Sequence, residues 1–404
     1  MSNYVIIGNS TAAIGAVEGI RVLDKTSPIT IISAEPHHTY SRPLISYLLK
    51  GDTDLQRMKY RGDDFYKENN VTALLGKTAV ELGDHAVKLD DGATVKFDKL
   101  LLATGSTPFV PPMAGLDTVS YHSFYTLDDA NALEAAIGEK RHAKVLIVGA
   151  GLIGLKCAEG ILSRVGSVTV VDLAPKVLSS ILDDDAAAIM KTHLEHGGIR
   201  FHLSDSVKQF APGKATLNSG RELAFDILVM AVGVRPNTAL TGERGGFVID
   251  ERMQTAIPDV YAAGDCAKGY DASIGDKRVL ALLPNAYRQG ECAGINMAGG
   301  ELALTDGIPM NAIGFFGLHI VTAGTYEGEA YAERDGNRYK KLFFKDNILK
   351  GFIIIGDVER AGIYTALVRE KTPLDSLDFE KIRKSPGLIA FSTAYRKQKL
   401  GAVV

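Results

Sequence analysis

Two stretches of the chain share one pattern of apolar and polar positions. Residues 4–23, "YVIIGNSTAAIGAVEGIRVL", begin with an apolar β-branched run, pass through a glycine turn and continue with apolar residues at helical spacing. Residues 29–35, "ITIISAE", follow as a second apolar run of strand length. Residues 143–172, "AKVLIVGAGLIGLKCAEGILSRVGSVTVVD", repeat this layout. Each stretch therefore predicts a strand, a helix and a strand, with a helix N-terminus that can face a pyrophosphate.

A second repeated pattern follows each of these stretches. Residues 97–108 read "FDKLLLATGSTP" and residues 225–236 read "FDILVMAVGVRP", with Phe, Asp, Leu, Ala, Gly and Pro at the same offsets. A strand and turn that occur twice, each time after a β-α-β start, indicate two Rossmann-like dinucleotide-binding domains of common design. The sequence therefore predicts an α/β fold that binds two nucleotides.

The second glycine-rich turn carries a complete dinucleotide-binding fingerprint. Gly149, Gly151 and Gly154 fit G-x-G-x-x-G between the predicted strand and helix, and Asp172 ends the next strand. The first glycine permits the turn, the second lets the backbone approach phosphate oxygens, and the third lets the helix pack on the strand. A carboxylate at Asp172 accepts a hydrogen bond from a ribose 2′-hydroxyl and repels a 2′-phosphate, which favours NAD over NADP. A tight strand–helix turn without a ligand is the alternative interpretation.

The first glycine-rich turn carries a degraded form of the same fingerprint, with Gly8, Ser10 and Ala13 at the three positions. Serine is small enough for close phosphate approach, and alanine still permits tight helix–strand packing. Glu35 follows as the candidate ribose-binding acid, somewhat farther along the chain than is usual.

Two further stretches identify the family that the chain resembles. Residues 38–51 read "HTYSRPLISYLLKG" and residues 257–267 read "IPDVYAAGDCA". With the two fingerprints, they resemble the FAD-dependent pyridine nucleotide oxidoreductases with two dinucleotide-binding domains, a glutathione-reductase-like fold. The chain is most similar to rubredoxin and ferredoxin reductases and to the flavin module of NADH-nitrite reductases. The resemblance implies that the first domain binds FAD and the second binds NAD.

The resemblance also implies roles for particular residues. Arg42 and Pro43 belong to a Y-x-R-P-x-x-S stretch that lies along the flavin, and Asp265 hydrogen-bonds the ribityl chain. Arginine supplies a permanent charge for a pyrophosphate or donors for the ring edge; a surface arginine and a helix-capping aspartate are the alternatives. The predicted cofactor-binding residues are Gly8, Ser10, Ala13, Glu35, Arg42, Pro43, Val80, Ala103, Thr104, Gly105, Gly149, Gly151, Leu152, Ile153, Gly154, Lys156, Asp172, Gly233, Gly264, Asp265 and Pro284.

The cysteines depart from the pattern of several family members. Disulfide-reducing members carry a cysteine pair in the first FAD helix and NADH oxidases carry a single one, whereas residues 42–51, "RPLISYLLKG", contain none. Cys157, Cys266 and Cys292 are predicted to be small packed residues. Disulfide and peroxide reduction are therefore not expected. No catalytic side chain is assigned, because hydride passes directly between stacked nicotinamide and flavin rings that the protein positions.

Four other side chains raise questions. Lys156 stands where many relatives carry a glutamate near the nicotinamide; it either holds a phosphate or the carboxamide, or points to solvent. Tyr47 stands where some ferredoxin reductases carry a lysine. His37 and His38 have no carboxylate or cysteine at ligand spacing, so they are predicted to be solvated and no metal site is expected.

The repeats suggest the domain boundaries. We expect an FAD-binding domain at 1–117 and 237–304, an NAD-binding domain at 118–236 and a small α+β domain at 305–404. The NAD-binding segment starts near a helix with Asp128 and Asp129 in its first turn. Residues 338–358 predict a hairpin around Asp346 and Asn347, and a helix follows near 361–370. In the family this last domain packs beside the flavin or forms an interface.

Composition limits the possible partners. The net charge of the 404-residue chain is −3, which gives no global attraction to nucleic acid or to an anionic membrane. No apolar run is long enough to span a membrane and the N-terminus lacks a signal sequence, so we expect a cytoplasmic protein. The tail carries basic residues on which an acidic electron carrier could dock, with a solvated tail as the alternative: Lys381, Arg383, Lys384, Arg396, Lys397 and Lys399.

These observations predict an FAD-containing NADH:acceptor oxidoreductase. It would pass hydride from NADH to FAD, or the reverse, and exchange single electrons with a carrier such as rubredoxin or ferredoxin. The alternative is a flavin–NAD subunit of an iron–sulfur complex such as a 2-oxoacid dehydrogenase, and a weaker alternative is an NADH oxidase. The chain lacks a cysteine cluster for its own iron–sulfur centre, so the one-electron partner is expected on another polypeptide. The chain itself is expected to form either a homodimer or a hetero-complex with that partner.

Overall fold

The structure is a computed structural model that describes residues 2–400, with side chains described as far as residue 397. The first part contains β1 (Tyr4–Ile7), α1 (Thr11–Leu23), β2 (Ile29–Ser33), α2 (Ile45–Lys50), α3 (Phe65–Glu68), β3 (Val71–Leu75), β4 (Ala79–Gly83), β5 (Ala86–Leu89), β6 (Thr94–Lys96), β7 (Lys99–Leu102) and β8 (Ser106–Pro108). Next come α4 (Leu127–Ile137), β9 (Lys144–Val148), α5 (Leu152–Ile161), β10 (Ser167–Asp172), α6 (Asp184–His196), β11 (Ile199–Leu203), β12 (Val207–Ala211), β13 (Lys214–Leu217), β14 (Glu222–Ala224), β15 (Ile227–Met230) and β16 (Val234–Pro236).

The remaining elements complete the chain. They are β17 (Phe247–Val248), β18 (Val260–Ala262), β19 (Ala267–Asp271), β20 (Asp276–Val279), α7 (Leu283–Met297), β21 (Met310–Phe315), β22 (Leu318–Gly324), β23 (Glu329–Asp335), β24 (Arg338–Lys345), β25 (Ile348–Ile355), α8 (Ala361–Glu370), α9 (Phe379–Lys384) and α10 (Thr393–Leu400). Short 3-10 helices lie at Arg42–Leu44, Leu116–Thr118, Leu162–Arg164, Leu374–Ser376 and Leu388–Ala390.

The first large sheet is parallel, with strand order β18-β7-β1-β2-β3. Its central strands are buried on both faces, as parallel strands covered by helices are. Helices α1 and α7 pack closely because α7 carries glycines at their contact. A Cβ added at Gly290 would lie 2.0 Å from the Ala12 carbonyl oxygen, and one added at Gly294 would lie 2.2 Å from the Ala16 carbonyl oxygen. This packing holds the start of α7 beside the carboxyl ends of β1 and β18.

The second large sheet repeats the design. Its strands are parallel in the order β11-β10-β9-β15, so β9 lies between β10 and β15 as β1 lies between β2 and β7. The predicted α/β class with two Rossmann-like sheets is confirmed. The two repeated turns also pair with each other: β8 and β16 form an antiparallel ribbon in which Thr107 faces Arg235. The repeated strand-and-turn therefore joins the two nucleotide-binding segments.

The chain divides into two compact units. Residues 1–269 and 277–304 form one, and residues 270–276 and 305–404 form the other. The first unit contains both parallel sheets, so the proposed boundaries between its two nucleotide-binding segments stay a prediction. Small antiparallel sheets, β4-β5-β6 and β12-β13-β14, accompany the parallel ones.

The second compact unit has an antiparallel sheet of order β21-β22-β25-β24-β23, with helices α8 to α10 following it. The predicted hairpin is present between β24 and β25. Asp346 and Asn347 form its two-residue turn with φ of 54° and 60°, the left-handed conformations that a type I′ turn requires and that Asp and Asn tolerate. The small α+β character of this region is confirmed.

Candidate functional site

The first glycines of the two fingerprints make the same contact. A Cβ at Gly8 would lie 2.0 Å from the Ala103 carbonyl oxygen, and a Cβ at Gly149 would lie 2.2 Å from the Ala231 carbonyl oxygen. Both glycines have positive φ, 123° and 118°, a region that other residues rarely adopt. The alanine of each repeated strand is therefore the surface on which the matching glycine turn rests.

The second position behaves differently. A Cβ at Gly151 would meet no atom within 4 Å, and the backbone there is extended. The fold itself thus does not require glycine at this position, whereas a phosphate that approaches the backbone does. The third position returns to packing, since a Cβ at Gly154 would lie 2.1 Å from the Gly149 carbonyl oxygen. Of the three fingerprint glycines, Gly151 is the one that protein packing does not explain, and its contact with a phosphate stays a prediction.

The helices that follow the fingerprints begin without side-chain caps. Ser10 and Gly151 are the N-cap residues of α1 and α5; neither makes a side-chain cap hydrogen bond, and the first turns of α1 and α5 contain no acidic residue. Three other described helices are capped: Thr126 accepts from the Asp129 N–H in α4, Asp183 accepts from the Ala186 N–H in α6, and Asp378 accepts from the Lys381 N–H in α9. The N–H groups and positive dipole ends of α1 and α5 are therefore available to an anion.

Asp172 lies beside the second glycine-rich loop. One carboxylate oxygen accepts from the Ala150 N–H at 2.6 Å, and the other accepts from the Ala174 N–H at 2.7 Å. A carboxylate offers about four acceptor sites, so the half-buried side chain can still receive a ribose hydroxyl. The backbone contacts hold it at the edge of the loop where the predicted ribose would lie.

Glu35 is engaged by two residues of the Y-x-R-P stretch. Its carboxylate accepts from the Arg42 guanidinium at 2.6 Å and from the Tyr40 hydroxyl at 2.6 Å. Both side chains of the ion pair are 23% exposed. Burial is the main reason why the pKa of Tyr40 is raised, so its hydroxyl keeps its proton. The predicted ribose acid and the predicted flavin arginine thus share one hydrogen-bonded cluster.

Asp265 lies in the same region. Its carboxylate accepts from the Ser106 hydroxyl at 3.3 Å, and burial raises its pKa, while Ser106 and the charge of Arg42 act in the opposite direction. Thr104, beside Ser106, donates its hydroxyl to the Asn237 carbonyl at 2.6 Å. Residues from four separate stretches of the sequence therefore meet here.

The two histidines are only partly solvated, whereas a fully solvated pair was predicted. His37 has a carboxylate partner, Asp128, at 2.7 Å, which the sequence separation of 91 residues concealed. His38 hydrogen-bonds the Thr39 carbonyl through Nδ1, and its ring packs against Tyr66 at a tilt of 52° with ring centroids 4.7 Å apart. Within residues 2–397, the buried His38 Nε2 and Thr39 Oγ1 have no hydrogen-bond partner. Such atoms usually have one, and Asn9 of the first fingerprint loop binds the His37 carbonyl beside them, which fits a polar ligand at this loop.

Lys156 does not point to solvent. Its ammonium forms an ion pair with Glu159 and lies 4.5 Å from the centre of the Tyr47 ring. The exposed fractions of the Lys156 and Glu159 side chains are 15% and 10%. Helices α2 and α5 pack tightly there, since a Cβ at Gly160 would lie 2.7 Å from the Ser46 carbonyl oxygen. Lys156 therefore joins the predicted flavin helix to the predicted NAD helix, and its contact with NAD stays a prediction.

Replacing Lys156 with methionine should destabilise the protein by about 1–3 kcal/mol, because Glu159 would lose this cation while nearly buried. Adding Glu159→Met should recover much of that loss, since the carboxylate is then removed as well. Urea unfolding of the three variants measures this. Additive losses in the double variant would contradict the coupling of the pair.

The three cysteines are packed, as expected. Cys157, Cys266 and Cys292 are all buried and unpaired. Burial raises the pKa of the Cys157 and Cys266 thiols, and that of Cys292 to about 11. Neutral buried thiols are poor nucleophiles, so these groups are unsuited to disulfide exchange.

The other predicted cofactor residues occupy a range of places. Leu152 and Ile153 are half-buried in the first turn of α5, while Gly105 and Gly233 are open turn positions with positive φ. Gly264 lies close to the Cβ atoms of Ala12 and Ala286. Pro43 and Pro284 are exposed at the starts of the Arg42–Leu44 turn and of α7, and Val80 is 51% exposed in the antiparallel sheet. None of these placements by itself tests a contact with a cofactor.

Sequence reasoning missed two residues of the cluster. Ser106 and Tyr125 hydrogen-bond each other at 2.7 Å, and the guanidinium of Arg42 lies 4.7 Å from the centre of the Tyr125 ring. Ser106 follows directly after the repeated A-x-G turn, which was a usable signal. No sequence signal pointed to Tyr125, because the sequence showed only that it precedes the start of a helix.

Comparison with known proteins identifies the family. Residues 2–290 match the pyridine nucleotide-disulphide oxidoreductase family, and residues 309–372 match the rubredoxin NAD+ reductase C-terminal domain. The chain belongs to the pyridine nucleotide-disulphide oxidoreductase family. It is thus an NAD(P)H oxidoreductase with FAD and NAD as its cofactors.

Two curated relatives show the range of this family. The oxidoreductase is 34% identical to the NADH-dependent phenylglyoxylate dehydrogenase subunit epsilon of Aromatoleum evansii, over 93% of each chain. It is 30% identical to the nitrite reductase [NAD(P)H] of Bacillus subtilis, over 92% of this chain but 47% of that protein, so it spans about half of that relative. Among solved structures, a ferredoxin reductase from Rhodopseudomonas palustris has a TM-score of 0.84 at 20% identity over the whole of both chains, which shows a shared fold.

The residues present fit the two cofactors. The uncapped starts of α1 and α5 suit pyrophosphates, and Gly151 leaves room for one. Bound FAD supplies the exchange between a two-electron hydride donor and one-electron acceptors. Among the described residues, no group of three His, Cys, Asp or Glu could hold a metal, and no helix is long and apolar enough to cross a membrane.

Proposed function

We propose that this oxidoreductase transfers electrons between NADH and a one-electron carrier protein through its FAD. The observation that carries the proposal is the cysteine-free α2, which packs directly against the NAD helix α5 through Ser46 and Gly160. Family members that reduce disulfides place thiols in this helix. Electrons that enter from NADH must therefore leave by another route, which a separate one-electron acceptor provides.

The protein's own contribution to this reaction is positioning. The α1 and α5 N-termini would hold the two pyrophosphates, Arg42 would lie by the FAD phosphates, and Asp265 would accept from the ribityl chain. No side chain is required as an acid or base for hydride transfer between stacked rings. The match of residues 309–372 to a rubredoxin NAD+ reductase domain supports a protein carrier as the acceptor.

A direct experiment tests the proposal. The purified protein should be yellow and should bleach with NADH under anaerobic conditions. The reduced enzyme should then reoxidise rapidly with a small rubredoxin and slowly with air. Rapid reoxidation by oxygen alone would favour an NADH oxidase and refute the carrier proposal.

The proposed preference for NADH depends on Asp172. Replacing Asp172 with asparagine keeps the size and one acceptor but removes the charge, so NADH affinity should fall by about 10-fold. NADPH affinity should fall less or rise, because the repulsion of the 2′-phosphate disappears. Anaerobic flavin reduction at varied coenzyme concentration measures both values. Loss of bound FAD in this variant would show that the two segments are assigned the wrong way round.

A second function is favoured by one relative. The phenylglyoxylate dehydrogenase subunit is covered over 93% of its length and is named as a subunit. We therefore also propose, as the alternative, a flavin–NAD subunit of a larger 2-oxoacid dehydrogenase complex. Size exclusion of native extract distinguishes the two, since a compact homo-oligomer supports the first function and a large hetero-complex supports the second.

The basic tail supports carrier docking less than its composition suggested. Lys381 pairs with Asp378 at 2.8 Å and Arg383 pairs with Glu380. Asp378 also caps α9, which explains its place beside these cations. The side chain of Lys399 lies outside the described residues.

We also propose that the reaction takes place in the cytoplasm. The three cysteines form no disulfide, and free thiols are typical of reducing compartments.

A further inference from the structure

Tyr125 contacts two parts of the candidate flavin site although no motif contains it. It lies in the segment that joins the first nucleotide-binding stretch to α4. Its hydroxyl lies 2.7 Å from the Ser106 hydroxyl, and its carbonyl accepts from the Arg42 guanidinium at 2.9 Å. The Arg42 guanidinium also lies over the Tyr125 ring, 4.7 Å from the ring centre. One residue therefore contacts both the flavin arginine and the neighbour of Asp265.

The direction of these hydrogen bonds follows from counting protons. Ser106 has one hydroxyl proton, and it donates that proton to Asp265. Tyr125 must then be the donor in its bond with Ser106. The chain runs from the Tyr125 hydroxyl to the Ser106 oxygen and from the Ser106 hydroxyl to the Asp265 carboxylate. Hydrogen bonds in such a chain strengthen one another.

The charged and titratable groups around Asp265 come from several elements. Arg42 supplies the positive charge that favours the carboxylate, while Tyr125 and Cys266 are neighbours that burial keeps neutral. Burial raises the pKa of Asp265. The side chain is therefore poised so that its charge depends on a few polar contacts, of which the Ser106 hydroxyl is one.

We propose that Tyr125 is a positioning residue that acts through Ser106 to hold Asp265 as a carboxylate oriented toward the FAD ribityl chain. This inference rests on the proposed role of Asp265 in flavin binding. Because Tyr125 belongs to the segment that leads into α4, it also links the start of the NAD-binding segment to the flavin site. A ribityl hydroxyl donates to a carboxylate more strongly than to a neutral acid, so the relay supports FAD affinity.

The variant Tyr125→Phe isolates the hydroxyl. The phenyl ring keeps the face that contacts Arg42, and the backbone carbonyl is unchanged. Apoprotein is titrated with FAD by flavin fluorescence between pH 4.5 and 8. In the wild type, affinity is lost as pH falls through the pKa of Asp265. In Tyr125→Phe that midpoint should move upward by about 0.5 to 1 pH unit, the effect of one weakened hydrogen bond to the charged form.

Companion variants separate the possible explanations. Ser106→Ala should move the midpoint in the same direction, and the double variant no farther than Ser106→Ala alone, since Tyr125 acts through Ser106. Tyr121→Phe is the matched control, because Tyr121 is in the same segment but 42% exposed; it should leave the midpoint unchanged. Circular dichroism of each apoprotein verifies folding, and Ser106→Ala carries the test if Tyr125→Phe does not fold.

Two results would overturn different parts of the argument. If Asp265→Asn binds FAD with wild-type affinity and pH dependence, the role of Asp265 itself is wrong. If Asp265→Asn abolishes the pH dependence but Tyr125→Phe leaves the midpoint in place, the relay is wrong while the flavin role of Asp265 stands.

Discussion

Replacing Gly151 with alanine should weaken NAD⁺ binding at least about 100-fold, or about 3 kcal/mol, while leaving the protein nearly as stable as the wild type. The added methyl group meets no protein atom within 4 Å, so only a ligand that approaches the backbone can collide with it. Loss of the glycine N-cap costs less than about 1 kcal/mol. Isothermal titration of the FAD-loaded enzyme with NAD⁺ gives the affinity, and calorimetric unfolding gives the stability.

Gly149→Ala is the matched control two residues away. Its methyl group would lie 2.2 Å from the Ala231 carbonyl oxygen at a φ of 118°, so this variant should lose more than about 3 kcal/mol of unfolding free energy. The pair thus separates a ligand requirement from a folding requirement. Unchanged NAD⁺ affinity in Gly151→Ala would contradict the assignment of the second fingerprint as a pyrophosphate site.

Arg42→Met should yield protein that no longer retains FAD during purification. The Arg42 guanidinium lies 2.6 Å from the Glu35 carboxylate, and its charge also lowers the pKa of Asp265. The substitution removes both effects. The Glu35 and Asp265 carboxylates would then lack the cation that offsets their charge in the predicted flavin site. Because 23% of each side chain of the ion pair stays exposed, the stability loss should be about 2–4 kcal/mol, below that of a fully buried pair. The flavin-to-protein absorbance ratio and urea unfolding measure the two effects.

Arg61→Met provides the control for that experiment. Arg61 pairs with Glu18 at 2.6 Å, is 30% exposed and stacks on Tyr60 at 4.6 Å, much as Arg42 does with Glu35 and Tyr125. Its pair lies in the middle of α1, outside the predicted flavin residues. This variant should lose comparable stability but keep FAD. Equal loss of FAD in both variants would show that Arg42 acts through stability alone.

Residue patterns predicted much of the fold because the signals are local. The apolar spacing of residues 4–23 and 143–172 located both β-α-β starts, and two acidic residues located the start of α4. Asp346 and Asn347 located a hairpin, because few residues other than these and glycine tolerate a left-handed turn. Each signal depends on neighbours within a turn or two of the chain.

The failures involve contacts between distant parts of the chain. His37 was expected to be solvated, yet it pairs with Asp128 after the start of α4 folds back to the loop that follows β2. Lys156 was left open between a ligand and solvent, yet it lies between α5 and α2. The prediction of a basic docking surface considered the cations of the tail without Asp378. This residue lies just before them in the sequence and pairs with Lys381.

By itself, the sequence determined that the chain builds two nucleotide-binding sheets, where each glycine turn lies and that α2 contains no thiol, because periodicity, glycine spacing and residue identity are written along the chain. Only the tertiary structure decided that Arg42, Ser106, Tyr125 and Asp265 share one cluster, that Gly151 is free of protein contacts while Gly149 is not, and which charges are paired. Those properties depend on how separate strands and helices pack together, and packing brings together residues as far apart as the 159 positions between Ser106 and Asp265.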